Sequence, residues 1–331
     1  MALERPEVRA DLGGAPGRGP AHVLVSVIVR SIGRPTLDEA LASIAAQTYP
    51  SVEAVVVDAL GEGHPAVPSR CGAFPVRVVS RGVPLPRSRA ANVGLAVAEG
   101  QLLAFLDDDD WLEPDHVGAL VSLIEEHPPA RAGYAGVRGV AESGEVVHTL
   151  NMPFSHRRLR AGNYIPINAM VFARTLVEDG CSFDEDLDLY EDWDFWLQVA
   201  RRSEVVHLDR FTANYRAGGA SQVGLSARSD VQHWARRRIY EKWMAVWSPE
   251  EIDELLEALD DEIGERERII RELSLRTTEV EAQLADTLGS LSWKITGPLR
   301  SLALVLRGSS RAVPGGDRQD RIGPASPAGG Q

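Results

Sequence analysis

Four consecutive carboxylates, Asp107-Asp108-Asp109-Asp110, follow directly on the apolar run Leu102–Leu106. The run is read as a buried strand, so the acids leave its carboxyl end. In an open α/β sheet, ligands bind just outside that end. Four adjacent carboxylates repel one another, and a cation relieves the cost. Hard divalent ions prefer oxygen, and Mg²⁺ takes one or two carboxylates plus substrate phosphates. Alternate residues of an extended segment point the same way, which sets Asp107 and Asp109 on one side. The competing reading is a solvated acidic turn capping the helix that Pro114 opens. Placement straight after a buried strand favours the ligand site.

Three further groups are candidates, each with two readings open. Asp58 ends a second buried run, Val52–Asp58. It is either a turn former or an acceptor for a nucleotide's base or ribose, as the acid after a strand is in dinucleotide sites. Glu191-Asp192-Trp193-Asp194-Phe195-Trp196 starts a helix. Its acids are either favoured there by the helix dipole, or one is a general base with aromatic neighbours shaping a sugar pocket. Arg87 and Arg89 open a helix after a third strand, as a diphosphate cradle or a surface pair.

The elements that must hold these residues read as alternating strands and helices. Strands are expected at Val23–Arg30, Val52–Asp58, Arg77–Ser80 and Leu102–Leu106. Between them, Thr36-Leu37-Asp38-Glu39 reads as a capping box opening a helix with Leu37, Leu41 and Ile44 on one face. Arg87–Ala98 is a second helix, and Pro114 opens a third that ends near Glu126. Such alternation implies right-handed βαβ units and a mainly parallel sheet, hence an α/β fold. Past residue 130 the alternation degrades. A hairpin is expected over Val137–Val147, a helix over Asp192–Arg202, and short strands at Val205–Leu208 and Thr212–Arg216. This half is read as a mixed extension of the same sheet.

Composition bounds the class. The chain has 331 residues, 44% hydrophobic and 25% charged, with a net charge of −13. Those figures suit a folded globular chain of about two domains and argue against a general nucleic-acid binder. No apolar run approaches the roughly 20 residues of a membrane span. Acids at Glu4, Glu7 and Asp11 argue against a secretory signal. Cys71 and Cys181 are too few for a disulfide framework or a cysteine zinc site. Residues 1–21 are read as a disordered leader.

The tail carries its own pattern. From Ile252 to Leu291, twelve positions alternate spacings of three and four, and nine of them are apolar. A seven-residue period over about 40 residues suggests a coiled coil, and so a homodimer through 252–291, or a helix docked on its own domain. Glu250 to Glu281 holds 13 acidic and 4 basic residues, −9 of the net charge. Beyond it, Trp293, Ile295, Leu299, Leu302 and Leu306 with Lys294, Arg300 and Arg307 form a basic apolar segment. Over 293–307 it suits either an anionic headgroup layer or a partner chain. Residues 308–331 read as a disordered tail.

Taken together, these residues resemble the family 2 glycosyltransferases of the nucleotide-diphospho-sugar transferase (GT-A) fold. Val25–Val29 with Arg34-Pro35 resembles the family's opening strand and turn. Ser43-Ile44, Gln47-Thr48 and Tyr49-Pro50 resemble its first helix and the approach to its second strand. Asn92-Val93-Gly94 through Gly100, then Phe105-Leu106-Asp107-Asp108-Asp109-Asp110-Trp111 with Pro114, resembles the segment ending in the Asp-x-Asp motif. Phe183-Asp184-Glu185 followed by Glu191-Asp192-Trp193-Asp194 resembles the acceptor-side Glu-Asp motif. The likeness covers about residues 23–222, within a domain expected over 22–245 and followed by a helix over 246–292. Ser290 to Arg300 resembles a tail found after coiled coils in bacterial surface-polysaccharide transferases.

The resemblance implies an inverting transfer from a nucleotide-diphosphate sugar to a glycan or lipid-linked hydroxyl. Asp58, Arg34, Arg87, Arg89, Asn92, Asp107 and Asp108 would bind the donor. Asp107 and Asp109 would hold Mg²⁺ or Mn²⁺. Asp192 would be the base, with Glu191, Trp193 and Asp194 on the acceptor side. The chain would be cytoplasmic, with peripheral contact at the inner face of the membrane through 293–307. Three departures stand out. Arg30, Ile32 and Gly33 replace the Pro and Asn that usually follow the first strand. Ala59 replaces a second acid. No His lies in Tyr215-Arg216-Ala217-Gly218-Gly219, although His207 is just upstream as a metal-shell candidate. A non-catalytic scaffold acting through its helix, and a sugar nucleotidyltransferase, are the alternatives weighed. The latter lacks a Gly-rich exit from its first strand.

Overall fold

The computed structural model describes residues 22–187, 189–218, 230–290 and 296. The expected leader, tail and all but Thr296 of the basic segment lie outside them. Two compact units divide at Asp260.

The first unit begins β1 (Val25–Ser31), α1 (Leu37–Ala45), β2 (Val52–Asp58), β3 (Arg70–Cys71), β4 (Phe74–Ser80), α2 (Arg87–Val97) and β5 (Leu102–Asp107). It continues β6 (Trp111–Leu112), α3 (His116–Glu126), β7 (Ala132–Val140), β8 (Val146–Leu150) and α4 (His156–Ala161). A single 3-10 turn, Ile167–Ala169, leads into β9 (Met170–Ala173) and α5 (Arg174–Glu178). Then come α6 (Glu191–Ala200), β10 (Val205–Arg216), α7 (Asp230–Trp243) and α8 (Pro249–Gly289).

Among the described residues one sheet runs β3-β4-β2-β1-β5-β9-β7-β10-β6, with β8 paired to β7. Its first half is parallel: β1 lies between β2 and β5, and β4 flanks β2. β9 enters antiparallel between β5 and β7, so the second half extends the same sheet. Every residue of β1 and β2 is buried. Helices cover both faces of such a sheet, which is why those strands read as continuous β-branched runs. Register decides what meets at the carboxyl edge. Arg30 lies opposite Asp107, and Ser31 opposite Asp58.

Two local expectations change. The capping box does not form. Thr36 takes helical angles and its hydroxyl is buried without a partner, while Glu39 reaches Arg216 at 2.5 Å. The strands expected at Val205–Leu208 and Thr212–Arg216 are one strand, β10. The polar pair Asp209-Arg210 between them is absorbed by register shifts against β7 between Leu208 and Ala213. A bulge takes up extra residues without ending a strand.

Buried residues continue past 245, within the unit that ends at Asp260. Trp243, Trp247 and Leu255 are buried in the core. Arg160 donates to Glu251 at 2.7 Å and also pairs with Glu254. The first turns of α8 are therefore part of the first unit. In the second unit, Ile263, Ile270, Leu273, Val280 and Leu284 of α8 are exposed. Cys71 and Cys181 are buried and unpaired. No helix among the described residues is long and apolar enough to cross a membrane.

Close approach fixes α2 on the sheet. A Cβ at Gly94 would lie 2.2 Å from Ile28 Cγ2 and 3.3 Å from Val57 Cγ2. Gly94→Ala should therefore cost about 1–3 kcal/mol through overpacking. Urea unfolding checks it: a lower midpoint with an unchanged slope is expected, and an unchanged midpoint would refute the packing account.

Candidate functional site

Arg30 sits at the end of β1, 6% exposed. Its Nε donates to Asp107 Oδ1 at 2.7 Å and its Nη2 to Oδ2 at 2.9 Å. Its third nitrogen donates to Glu191 Oε1 at 2.8 Å. The planar guanidinium suits this fork on one carboxylate plus a bond to another. Glu191 is the first residue of α6. One buried cation thus joins the strand carrying the acids to the helix carrying Asp192. The sequence showed Arg30 only as a departure from the family's pattern.

The four adjacent acids part ways. Asp107 is held well paired: burial works against its ionisation, but the charge and hydrogen bonds of Arg30, with the charges of Arg87 and Arg34, together outweigh that and keep its pKa below the usual range. Asp108 is fully buried and turns to the loop after β1. It accepts from Ser31 Oγ and Ile32 N at 2.9 Å, Arg34 N at 3.3 Å, and the Arg34 guanidinium. A carboxylate offers about four lone-pair sites. Asp108, expected to bind the donor, is instead saturated as a loop clamp, and it occupies part of Arg34. The remaining cluster is Asp107, Asp109 and Asp110, each with an oxygen within 4.8 Å of the others. Asp110 was not among the expected metal ligands. Asn168 Nδ2 donates to it at 3.1 Å and the Arg216 amide at 3.4 Å.

This trio fits a divalent cation. Burial, and then the charges of Asp107 and Asp109, push the Asp110 pKa well up. Burial and the Asp107 and Asp108 charges raise Asp109 as well, despite Arg34. Convergent hard oxygens that resist ionising together are the donor set Mg²⁺ or Mn²⁺ prefers. His207 is not near them in the strand. It opens β10 opposite Tyr134 and meets Asn151 Oδ1 at 2.8 Å. Arg216, whose amide reaches Asp110, ends the same strand nine residues on, about 20 Å away by the rise of the β7 stretch Tyr134 to Val140 that pairs with it.

Asp58 does both jobs the sequence left open only in part. It accepts from Leu60 N at 3.0 Å, Gly61 N at 2.9 Å and Ser80 Oγ at 2.7 Å. Burial would raise its pKa, but these bonds and nearby His64 lower it. It closes the turn in which Gly61 has φ +87°, leaving one acceptor site open. Of the α2 residues, Arg87 Nε lies 3.9 Å from Glu191 Oε1. Arg89 and Asn92 face elsewhere. Arg89 pairs with exposed Glu185 at 3.0 Å. Asn92 exchanges bonds of 2.9 Å with the Phe183 backbone. They fasten α2 to the 183–185 segment.

The first turn of α6 also divides. Asp192 accepts from Asn163 Nδ2 at 2.8 Å. Burial, and then the Glu191 charge, raise its pKa to about 7 against the pull of Arg30. Trp193 and Asp194, expected to face an acceptor, are buried. Trp193 Nε1 donates to Leu159 O at 2.6 Å. Asp194 takes Gln198 and Lys242 at 2.9 Å and Trp243 Nε1 at 2.7 Å, tying α6 to α7. Helix periodicity explains this: Asp194 and Gln198 are four apart and share the inward face. Tyr190, just before α6, has φ 63°, a positive value no other described non-glycine residue shows. The left-handed region costs an L-residue about 1–2 kcal/mol.

Arg30→Met would leave Asp107 and Glu191 buried without their cation. A loss of about 3–5 kcal/mol is expected in urea unfolding. Adding Glu191→Gln to Arg30→Met should recover part of it, and strict additivity of the two would refute the coupling.

Comparison with known proteins agrees with this geometry. Residues 26–176 match the family described as glycosyl transferase family 2. Protein y4gI of Sinorhizobium fredii, itself uncharacterized, is 30% identical over 174 residues, 51% of this chain but 19% of its own length. The chain thus spans about a fifth of that relative. YwdF of Bacillus subtilis, an uncharacterized glycosyltransferase, is 28% identical over 189 residues, 54% of this chain and 68% of its own. Among solved structures, Staphylococcus aureus TarS aligns with TM-score 0.52 and 18% identity, covering 71% of this chain and 43% of TarS. TarS 1-349 in complex with UDP also gives 0.52, with 19% identity, over 71% of this chain and 70% of that one. The likeness to TarS is one of fold. With the family match, the mixed sheet and the acidic strand end in agreement, the chain carries a GT-A domain whose residues 26–176 match glycosyl transferase family 2.

Proposed function

We propose that the chain is an inverting glycosyltransferase that moves a sugar from a nucleotide-diphosphate donor to a hydroxyl of a glycan or lipid-linked acceptor. The observation that carries this reading is the Arg30 bridge. It joins the Asp107–Asp109–Asp110 cluster to the helix that begins Glu191-Asp192. A donor site and a separate base are what a single displacement requires.

The roles follow from the side chains. Asp192, with a pKa of about 7, is partly ionised at neutral pH, which suits a general base. Asn163 fixes one of its oxygens. It takes the proton from the acceptor hydroxyl as that oxygen attacks the anomeric carbon. The new C–O bond forms as the bond to the diphosphate breaks, and the electron pair leaves with the diphosphate. Attack opposite the leaving group inverts the carbon. Asp107, Asp109 and Asp110 would hold Mg²⁺ or Mn²⁺, whose chemistry is to neutralise charge on the departing diphosphate. Asp58 has an acceptor site free for the nucleoside, and Arg87 and the free part of Arg34 supply positive charge near the phosphates. UDP, which TarS binds, is the first nucleotide to try.

The exposed stripe from Ile263 to Leu284 belongs to the same proposal as a homodimer seam. Ile270→Glu with Leu273→Glu should halve the mass seen by light scattering. An unchanged mass would remove the dimer.

A thermal-shift panel of UDP, GDP, dTDP and CDP, with and without Mn²⁺, tests the donor site. A ligand at about 100 times its dissociation constant adds roughly 2.7 kcal/mol. One nucleotide should shift melting only with Mn²⁺, and Asp109→Ala should abolish the shift. No shift with any nucleotide would overturn the donor reading. The base is tested separately by nucleotide release from the donor. Asp192→Asn should lower turnover about 10²–10⁴-fold with the thermal shift intact. Because Asp192 acts ionised and its folded pKa is raised, the rate should climb as pH rises through about 7 and level above it. A flat profile would sink its assignment.

A further inference from the structure

We propose that Tyr190 is the platform against which the acceptor's sugar ring stacks, an inference that rests on the glycosyltransferase reading. The aromatic expected to serve the acceptor was Trp193, but its ring is 1% exposed and its N–H is spent on Leu159 O. Tyr190 stands two residues before Asp192, half-buried, with its ring partly open. Among the described residues its hydroxyl has no hydrogen-bond partner.

The ring is backed rather than loose. Tyr190 meets Trp193 edge-on at 5.9 Å and 90°. Trp193 meets Tyr240 at 5.6 Å and 87°, and Tyr240 meets Trp247 at 6.3 Å. This row of rings runs from α6 into the core on α7 and beyond. Tyr190 is its open end, two residues before Asp192 in the chain. A bulky residue with φ 63° is unfavourable where Gly or Asn would sit without strain. Such strain persists where the surroundings hold it, and it gathers at ligand sites. The helix itself asks only for a backbone carbonyl there, which Asp194 N uses at 3.2 Å. The aromatic ring is therefore an addition to what α6 needs.

The chemistry selects a sugar. A pyranose presents an apolar C–H face and a rim of hydroxyls. An aromatic with an apolar body and a polar tip matches both. An acceptor stacked on Tyr190 would bring a hydroxyl to Asp192 without any charged contact.

The test is saturation-transfer NMR on the full chain with UDP and Mn²⁺, using methyl β-glucoside, methyl β-galactoside and methyl β-N-acetylglucosaminide as probes. Ring protons of at least one probe should saturate with the wild type and with Tyr190→Phe. With Tyr190→Asn, which tolerates the left-handed backbone but lacks the ring, the transfer should fall about fivefold. Cooperative melting and an unchanged nucleotide shift in Tyr190→Asn show that fold and donor site persist. Equal transfer in Tyr190→Asn overturns the proposal. So does no transfer to any probe from a wild type that binds nucleotide. Loss of the nucleotide shift in the wild type would instead count against the donor reading, and transfer that still depends on the ring would leave the sugar platform standing.

Discussion

A single buried guanidinium organises this molecule. Arg30 makes three charge-assisted bonds to two carboxylates that lie 84 residues apart in the chain, Asp107 and Glu191. Burying any of these charges alone would be costly. Together they define one geometry: the end of β1, the end of β5 and the start of α6 must meet. Register supplies the first part, since Arg30 lies directly opposite Asp107 in the parallel ladder. The α6 helix is then held from its other face by Asp194, which takes donors from both Lys242 and Trp243. Between these two anchors Asp192 has little freedom, which suits the base proposed for it.

The same edge explains why acids accumulate without tearing the fold. Parallel strands end together, so Asp58, Asp107 and the loop acids share one rim. Repulsion is met locally where a cation or amide is at hand. Arg30 serves Asp107, Arg34 and three loop donors serve Asp108, and backbone amides serve Asp58. Asp109 and Asp110 receive less, and their carboxyls are pushed toward the neutral form by burial and by neighbouring carboxylates, Asp107 foremost. An unfavourable charge density left in place at a strand end is a feature that binding of a cation turns to advantage.

Much of the fold was legible because its causes are local. Val25–Val29 and Val52–Asp58 could only be strands covered on both faces, and the helices between them follow from short periodic segments. The antiparallel entry of Met170–Ala173 between β5 and β7 was not legible, since four residues carry no period of their own. The continuity of Val205–Arg216 was not legible either, since polar Asp209-Arg210 interrupts the apolar run where the strand only bulges. At the site, the motif order singled out Asp107, Asp109 and Asp192 as candidates. It missed Arg30 as a partner, Asp110 as a third oxygen and Asn163, because each acts through a contact across the fold. It also drew Trp193 and Asp194 to the acceptor, since adjacency in sequence says nothing about which face of a helix points inward.

What separates a structural acid from a chemical one here is how much of its hydrogen-bonding capacity the fold consumes. Residue type is the same at every position in the run 107–110, so type cannot decide. Asp108 accepts four bonds and Asp194 three, both with no exposed surface. Nothing remains on Asp108 for a ligand, and Asp194 is sealed from one. Asp192 carries one bond from a neighbouring element, from Asn163, and is raised to a pKa of about 7. Asp109 has only a loose approach of Arg34, at 3.6 Å. Capacity left over, in a place where burial makes it expensive, marks the groups that something else must satisfy. By that measure the groups with spare capacity lie on either side of Arg30: Asp109 and Asp110 beside Asp107, and Asp192 beside Glu191. On the proposed reaction, the guanidinium that stabilises the fold is also the boundary between its donor and acceptor halves.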